Sequence, residues 1–304
     1  MIAFRPLTLE DHGQIHALLS SCAYPGADYT FNNMYFWSCY YGEFGYAAGM
    51  LTQHITLPDF EDYLYPAGPG DVKAALAEIM EDARARGGRL RLRGLTGDRV
   101  RELEACFPGQ FTVRPYRGSF DYLYTVEELT ELKGKKLQSK RNHCNRFQTV
   151  YPDWYTEPIT GQNLPACRAL CEQWYALHVP GSEQERLQLQ LERVAIARAF
   201  EGFTRLGIDG LLLSYGERFV AFSMGVRMNR TYYDVNFEKA LTNVAGAYSV
   251  INREFSRMVA EKYPEVEYLN REDDMDQEGL RRAKESYQPT ILLEKFTAER
   301  KETL

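Results

Sequence analysis

Thr231-Tyr-Tyr-Asp-Val-Asn-Phe237, then Gly246-Ala-Tyr-Ser-Val-Ile-Asn-Arg-Glu-Phe-Ser-Arg-Met-Val-Ala-Glu-Lys262, are the two runs on which the fold turns. Side chains on a strand alternate between faces. In the first run Tyr232, Asp234 and Asn236 therefore share one face, and the more apolar Tyr233, Val235 and Phe237 the other. The second run starts on a glycine and reads as a long helix. Upstream, Phe219 to Met228 predicts a partner strand, and Asn229-Arg230 suits a tight hairpin. Gly210 to Tyr215 predicts another strand. Downstream come a strand from Val266 to Asn270, an acidic loop from Glu272 to Asp276, a helix from Glu278 to Tyr287 and a last strand from Thr290 to Phe296. That order predicts an α+β (mixed α/β) fold with a mixed sheet.

The first half carries a similar order on a smaller scale. Ile2 to Pro6 reads as a strand, and Thr8 can cap a helix to about Leu19. Asp71 to Arg86 reads as a helix ended by Gly87-Gly88. Arg89 to Leu95 alternates as a half-buried strand, a short helix reaches Cys106, and Phe111 to Pro115 and Ser119 to Val126 read as strands. Between the halves lies Lys133-Gly-Lys-Lys-Leu-Gln-Ser-Lys-Arg-Asn-His-Cys-Asn-Arg-Phe147. No acidic residue occurs between Glu131 and Asp153, on a chain whose formal net charge is -6. Such a basic block is a candidate docking site for phosphates. At helical spacing Leu137, Cys144 and Phe147 share one side, with Lys140 and Arg141 in the same sector. These two cations either reach a cleft or run their stems along apolar surface. Past this helix, Trp154 to Pro158 reads as a strand, and Leu164 to His178 and Glu183 to Phe203 as helices. Two tandem domains are expected, 1–128 and 129–304, the second opening on the basic helix 133–148.

Composition excludes several classes. Apolar content of 44% and charged content of 26% over 304 residues describe a globular protein. No apolar run approaches the length of a membrane helix, and Met-Ile-Ala-Phe-Arg-Pro lacks the apolar core of a signal peptide, so a cytoplasmic protein is expected. The six cysteines are scattered; only Cys167 and Cys171 are close, with no second ligand pair at zinc spacing. Asp273, Asp274 and Asp276 are of a type that binds Mg²⁺, but ahead of a helix they read as caps, and no metal site is assigned.

The hairpin, small-residue turn and long helix of Thr231 to Lys262 resemble the core of a GNAT-type acyltransferase fold, as does the opening Phe4-Arg5-Pro6-Leu7-Thr8-Leu9-Glu10-Asp11. Three segments together resemble the phosphatidylglycerol lysyltransferase C-terminal-like family of bacterial proteins. They are Asp28-Tyr29-Thr30-Phe31-Asn32-Asn33-Met34-Tyr35-Phe36-Trp37, the basic stretch, and Tyr268 to Pro289 with its Asn270-Arg271-Glu272-Asp273-Asp274 start. The resemblance implies two tandem GNAT-like domains, as in Fem-type aminoacyltransferases and lipid lysyltransferases. Those relatives move an aminoacyl group from charged tRNA to an amine or hydroxyl. It also implies a donor loop at Asn243-Val-Ala-Gly246-Ala-Tyr248. Gly246 fits the pattern that holds a CoA pyrophosphate; Asn243 and Tyr248 depart from it, which counts against ordinary acetyl-CoA use.

The residues allow direct attack by an acceptor on an activated ester or thioester, since no nucleophile elbow is present. Asp234 is the candidate base or amine ligand, with Asn236 beside it. Lys140, Arg141, His143, Asn243 and Gly246 are the candidate donor-phosphate set. Tyr232, Tyr248, Arg271, Arg281, Lys284 and Tyr287 are the candidate substrate set, Arg271 being suited to clamp a carboxylate or to pair with Asp273. The aromatic run Tyr35-Phe36-Trp37 with Tyr40-Tyr41 is either a stacking platform or core. The expected reaction is acyl transfer, aminoacyl from tRNA, to a small-molecule, peptide or lipid-headgroup acceptor. The alternatives are a CoA-dependent N-acyltransferase using acyl-CoA, and a non-catalytic small-molecule sensor. No resident cofactor is identified, and the oligomeric state is left open.

Overall fold

The computed structural model describes residues 1–301. Two compact units form: one from Met1–Asp121, Asp273–Gln277 and the chain from Leu292, the other from Tyr122–Glu272 and Glu278–Ile291. The expected division at 128/129 is contiguous, whereas the chain here returns to the first unit after leaving it. Helices α1 (His12–Ser20), α2 (Phe31–Phe36) and α3 (Ser38–Tyr41) lead into strands β1 (Glu43–Ala47), β2 (Met50–Thr56) and β3 (Glu61–Leu64). Then follow α4 (Val72–Arg86), β4 (Leu90–Leu95), α5 (Gly97–Cys106) and β5 (Phe111–Pro115). The second unit is built from β6 (Asp121–Thr125), α6 (Val126–Glu131), α7 (Gln138–Val150), β7 (Trp154–Pro158), α8 (Leu164–Leu177), α9 (Glu183–Gly202), β8 (Asp209–Tyr215), β9 (Arg218–Arg227), β10 (Tyr232–Ala240), α10 (Ala247–Lys262), β11 (Tyr268–Asn270) and α11 (Glu278–Glu285). Strands β12 (Ile291–Leu293) and β13 (Phe296–Arg300) close the described chain.

In the first unit the sheet order is β1-β2-β3-β4-β13-β5, with β3 and β4 parallel and joined through α4. Helix α4 starts where the Asp71 side chain accepts from Ala74 N, and stops at Gly87, whose φ of +82° is left-handed. Tyr63, Leu76, Ile79, Leu92 and Ala298 form its core. The chain must return here because β13 lies between β4 and β5, and because Lys295 is buried between Asp28 and Asp121. The final strand expected from Thr290 to Phe296 is thus two short strands, in different sheets.

Three expectations for this unit change. Ile2 to Pro6 is not a strand; Arg5 alone bridges Phe44. A 3-10 turn at Leu9–Asp11 precedes α1, so Thr8 caps that turn, its N–H donating to Asp11. Strands β1 to β3 were invisible to alternation, because β2 and β3 are buried on both faces and carry polar residues inside. His54 and Glu61 meet at 2.6 Å there, so hydropathy lacks a period of two. In the aromatic run Phe36 is core, Tyr35, Trp37 and Tyr41 are half-buried, and Tyr40 is exposed.

In the second unit the sheet order is β12-β6-β11-β10-β9-β8-β7. The hairpin β9–β10 turns at Asn229, whose Oδ1 accepts from the N–H of Thr231 and of Tyr232. Helix α10 lies on this sheet, Phe255 and Tyr263 meeting the ring of Tyr233. Among the described residues no helix is long and apolar enough to cross a membrane, and no cysteine is paired.

Candidate active site

Strands β10 and β11 run parallel only over Tyr232–Asp234, against Tyr268–Asn270, and then part. Just past that point β10 bulges: its register with β9 shifts between Asp234 and Phe237. An inserted residue reverses which face later side chains take. Tyr233 faces α10 before the bulge; Glu238, an odd number of residues later, also faces α10, where Asn252 Nδ2 donates to it at 3.0 Å. Lys239 is turned to the opposite face. The backbone is re-aimed as well. Leu241 N–H donates to Val220 O on the β9 side, so alternation directs the N–H groups of Glu238 and Ala240 to the edge that β11 has left.

Around that edge lies a half-buried charged cluster. Arg271, the first residue after β11, donates through Nη2 to Glu238 Oε1 at 3.0 Å and lies over the rings of Tyr287 and Tyr124. It pairs with Glu238, not Asp273. Lys140 Nζ sits 4.1 Å from the centroid of Tyr287. Burial, then the charge of Arg271, pulls its ammonium below the ordinary lysine value. Burial pushes the Tyr287 phenol well up. Arg271 and Lys140 against Glu238 leave one positive charge in excess, which favours an anionic or polarised group.

On the other face Lys239 is anchored on both oxygens of Glu192, at 2.9 and 2.8 Å, beneath the Trp174 ring. Trp174 Nε1 in turn donates to the Tyr248 hydroxyl at 2.8 Å.

Next to the helix start a groove of about 620 Å³ opens, lined by Lys135, Lys136, Ser139, His143, Arg146 and Gly246 among others. Gly246 caps α10 with a φ of +90°, and a Cβ on it would lie 2.7 Å from the His143 carbonyl. Only glycine lets α7 approach so closely at this φ, beside the N-terminus of α10. Cations and a helix N-terminus together attract phosphate.

The structure divides the expected site residues. His143 and Gly246 line the groove. Arg141 does not: its guanidinium donates to the carbonyls of Leu132 and Gly134, tying down the turn before α7. The basic stretch is helical only from Gln138, and Lys135 and Lys136, in the turn before it, line the groove. Asn243 is exposed in the turn before α10. Tyr232 stacks on Tyr268 at 5.7 Å. Lys284 is buried, donating to the Arg271 carbonyl, so it supports Arg271 in place of a ligand; Arg281 is half-buried one turn earlier. Asp234 is fully buried; Asn236 Nδ2 donates to it at 2.8 Å and to Glu272 at 3.1 Å. These two are brought to Glu272, not to the groove. Asp274 pairs with Arg117 in the first unit. Glu238, Asn252 and Trp174 were missed. Glu238 could have been found as the next polar residue in the Asp234, Asn236 series.

A family model described as phosphatidylglycerol lysyltransferase, C-terminal, matches residues 22–299. A conserved protein of unknown function from Bacteroides thetaiotaomicron is 35% identical, with 99% of this chain and 100% of that one covered and a TM-score of 0.91. L-PGS from Bacillus licheniformis is 16% identical, with coverage of 96% and 92% and a TM-score of 0.66. A tandem GNAT protein from the clavulanic acid biosynthesis pathway is 11% identical, with 100% of both chains covered and a TM-score of 0.50. No curated protein sequence matches the chain. The fold is α+β, with two tandem GNAT-like units.

Proposed function

Because the chain belongs to the phosphatidylglycerol lysyltransferase C-terminal family, we propose that it is an acyltransferase that moves an aminoacyl group from aminoacyl-tRNA to an amine or hydroxyl acceptor in the cytoplasm. One observation carries this reading. A cationic groove at the N-terminus of α10 belongs to the same unit as a strand edge whose Glu238 N–H points outward. Lys135, Lys136, Arg146 and the positive end of α10 suit the phosphates of a polyanionic donor. The Glu238 N–H suits the acyl oxygen, where negative charge develops as the acceptor attacks. Asp234 and Asn236 make a buried, amide-bridged cluster with Glu272, and Glu272, its half-buried member, suits an acceptor amine. The family description names phosphatidylglycerol; for this chain a lipid headgroup, a small molecule or a peptide is the acceptor.

Filter binding of bulk tRNA at rising salt tests the reading. Binding with a steep salt dependence is expected. Thermal stabilisation by acyl-CoA without RNA binding would replace it with a CoA-dependent transfer. Stabilisation by a metabolite without turnover would make the chain a sensor.

A further inference from the structure

Two cations of the second unit are held side by side with one carboxylate to answer both. Lys140 Nζ lies 4.1 Å and Arg271 Cζ 4.8 Å from the centroid of the Tyr287 ring. After burial, the charge of Arg271 is what lowers the Lys140 ammonium. Glu238 takes Arg271 Nη2 on Oε1 and Asn252 Nδ2 on Oε2, both at 3.0 Å, so each of its oxygens is engaged. The cations keep donors to spare. Arg271 Nη1 is buried without a hydrogen-bond partner. Among the described residues Lys140 Nζ makes no hydrogen bond and no ion pair, only the contact with the ring. Like charges brought together in a half-buried place cost free energy unless a counter-charge sits with them. The cluster lacks one negative charge.

The neighbours of the cluster narrow what that charge can be. Lys140 lies between Ser139 and His143 in the sequence of α7, and those two line the cationic groove. Glu238, which holds Arg271, also carries the backbone N–H directed to the parted strand edge. The cluster thus shares α7 with the place for the donor's phosphates and Glu238 with the place for its acyl oxygen. In an aminoacyl nucleotide one ribose joins these two parts. It carries the ester on a hydroxyl and a phosphodiester on its 5′ carbon. A phosphodiester bears a single negative charge, which equals the deficit. A planar guanidinium fork and a flexible ammonium together suit its oxygens.

We propose that Arg271 and Lys140 form a subsite for one phosphodiester, the one attached to the ribose that carries the acyl ester. This rests on the reading of the chain as an aminoacyltransferase with a tRNA donor. Arg271 keeps Nη2 on Glu238 and gives Nη1 to the phosphate. Lys140, on its flexible stem, leaves the Tyr287 ring and closes over the same group. Glu238 is the positioning residue, since it fixes the guanidinium from below. Holding the phosphate fixes the ribose, and through it the ester, against the strand edge.

The test removes one charge from the donor. Bulk tRNA charged with radiolabelled amino acids, with hydroxylamine as acceptor, finds a tRNA that works. That tRNA is then rebuilt with an uncharged methylphosphonate between its last two nucleotides. In the unaltered protein this change should lower kcat/KM on the order of 10–100-fold. In Lys140→Met, which breaks no ion pair, the penalty should shrink, because the phosphate has already lost a partner. In Arg271→Lys, which keeps the charge without the fork, it should shrink as well. The penalty is a ratio of two donors on one protein, so a variant that folds less well does not change it. A methylphosphonate one nucleotide earlier should cost the unaltered protein and the variants alike. No penalty in the unaltered protein, or the full penalty in both variants, overturns the proposal and leaves the reading standing. Failure of the unaltered protein to transfer from any charged tRNA overturns the reading, and the subsite with it.

Discussion

Arg271 Nη2 donates to Glu238 Oε1 at 3.0 Å, across the gap that opens where β10 and β11 stop pairing. Neither residue is more than about an eighth exposed; the side chains are 13% and 11% accessible. Removing one partner of such a pair leaves the other charge without compensation. Glu238→Ala should therefore lose about 3 kcal/mol in urea denaturation. Glu238→Gln, which keeps an oxygen for Arg271 or Asn252, should lose less. Equal losses for the two variants would mean that charge is not what holds this edge.

The buried triad of the first unit predicts a pH dependence. Burial pushes the Asp28 carboxyl up, but Lys295 outweighs it and holds it below its ordinary value. Burial would lower Lys295, but Asp121 and Asp28 raise it well above its ordinary value. The depressed carboxyl contributes stability above pH about 4 and loses it as pH falls through its folded value. The raised lysine contributes fully below about pH 10.4 and loses it only as pH rises through its folded value. Lys295→Met removes the cation that holds the Asp28 carboxyl down, so Asp28 binds a proton more readily. Its deficit in urea midpoint should shrink as pH falls from about 8 to about 5. A constant deficit would point to lost packing instead.

Gly246→Ala adds a Cβ 2.7 Å from the His143 carbonyl and 3.0 Å from the Phe147 Cβ, at a φ of +90°. Helices α7 and α10 must move apart. A stability loss of about 1–3 kcal/mol and weaker tRNA binding should appear together. Normal stability with lost binding would place Gly246 in direct contact with the donor and nowhere else.

Helical phase singled out Lys140 and Arg141, but the groove is lined by Lys135 and Lys136. Lys135→Ala with Lys136→Ala should weaken tRNA binding and lower its salt slope by about 2, since each lost phosphate contact removes about 0.7–0.9. Arg141→Ala should leave the slope unchanged and lower the melting temperature, because its guanidinium holds the Leu132 and Gly134 carbonyls. Salt slopes measured by filter binding decide between the two pairs.

Much of the second unit was legible in the sequence. The hairpin at Asn229, the glycine that starts α10 and the apolar side of α7 (Leu137, Cys144, Phe147) are local patterns, set by turn chemistry and helical period. The basic block was legible as charge. Less was legible in the first unit, where β2 and β3 bury His54, Glu61 and Asp62 as partners and so hide their period.

What the sequence by itself determined is which residues make helices and strands and where cations collect, because these follow from neighbours within a few residues. What only the tertiary structure decided is where those residues point. The bulge between Asp234 and Phe237 turns Glu238 to α10 and opens its N–H to the parted edge. The turn before Gln138 sends Lys135 and Lys136 to the groove and leaves Arg141 to hold the chain. Lys295 crosses the length of the sequence to pair with Asp28. Each depends on a partner distant in sequence, and a one-residue change of phase reverses a face.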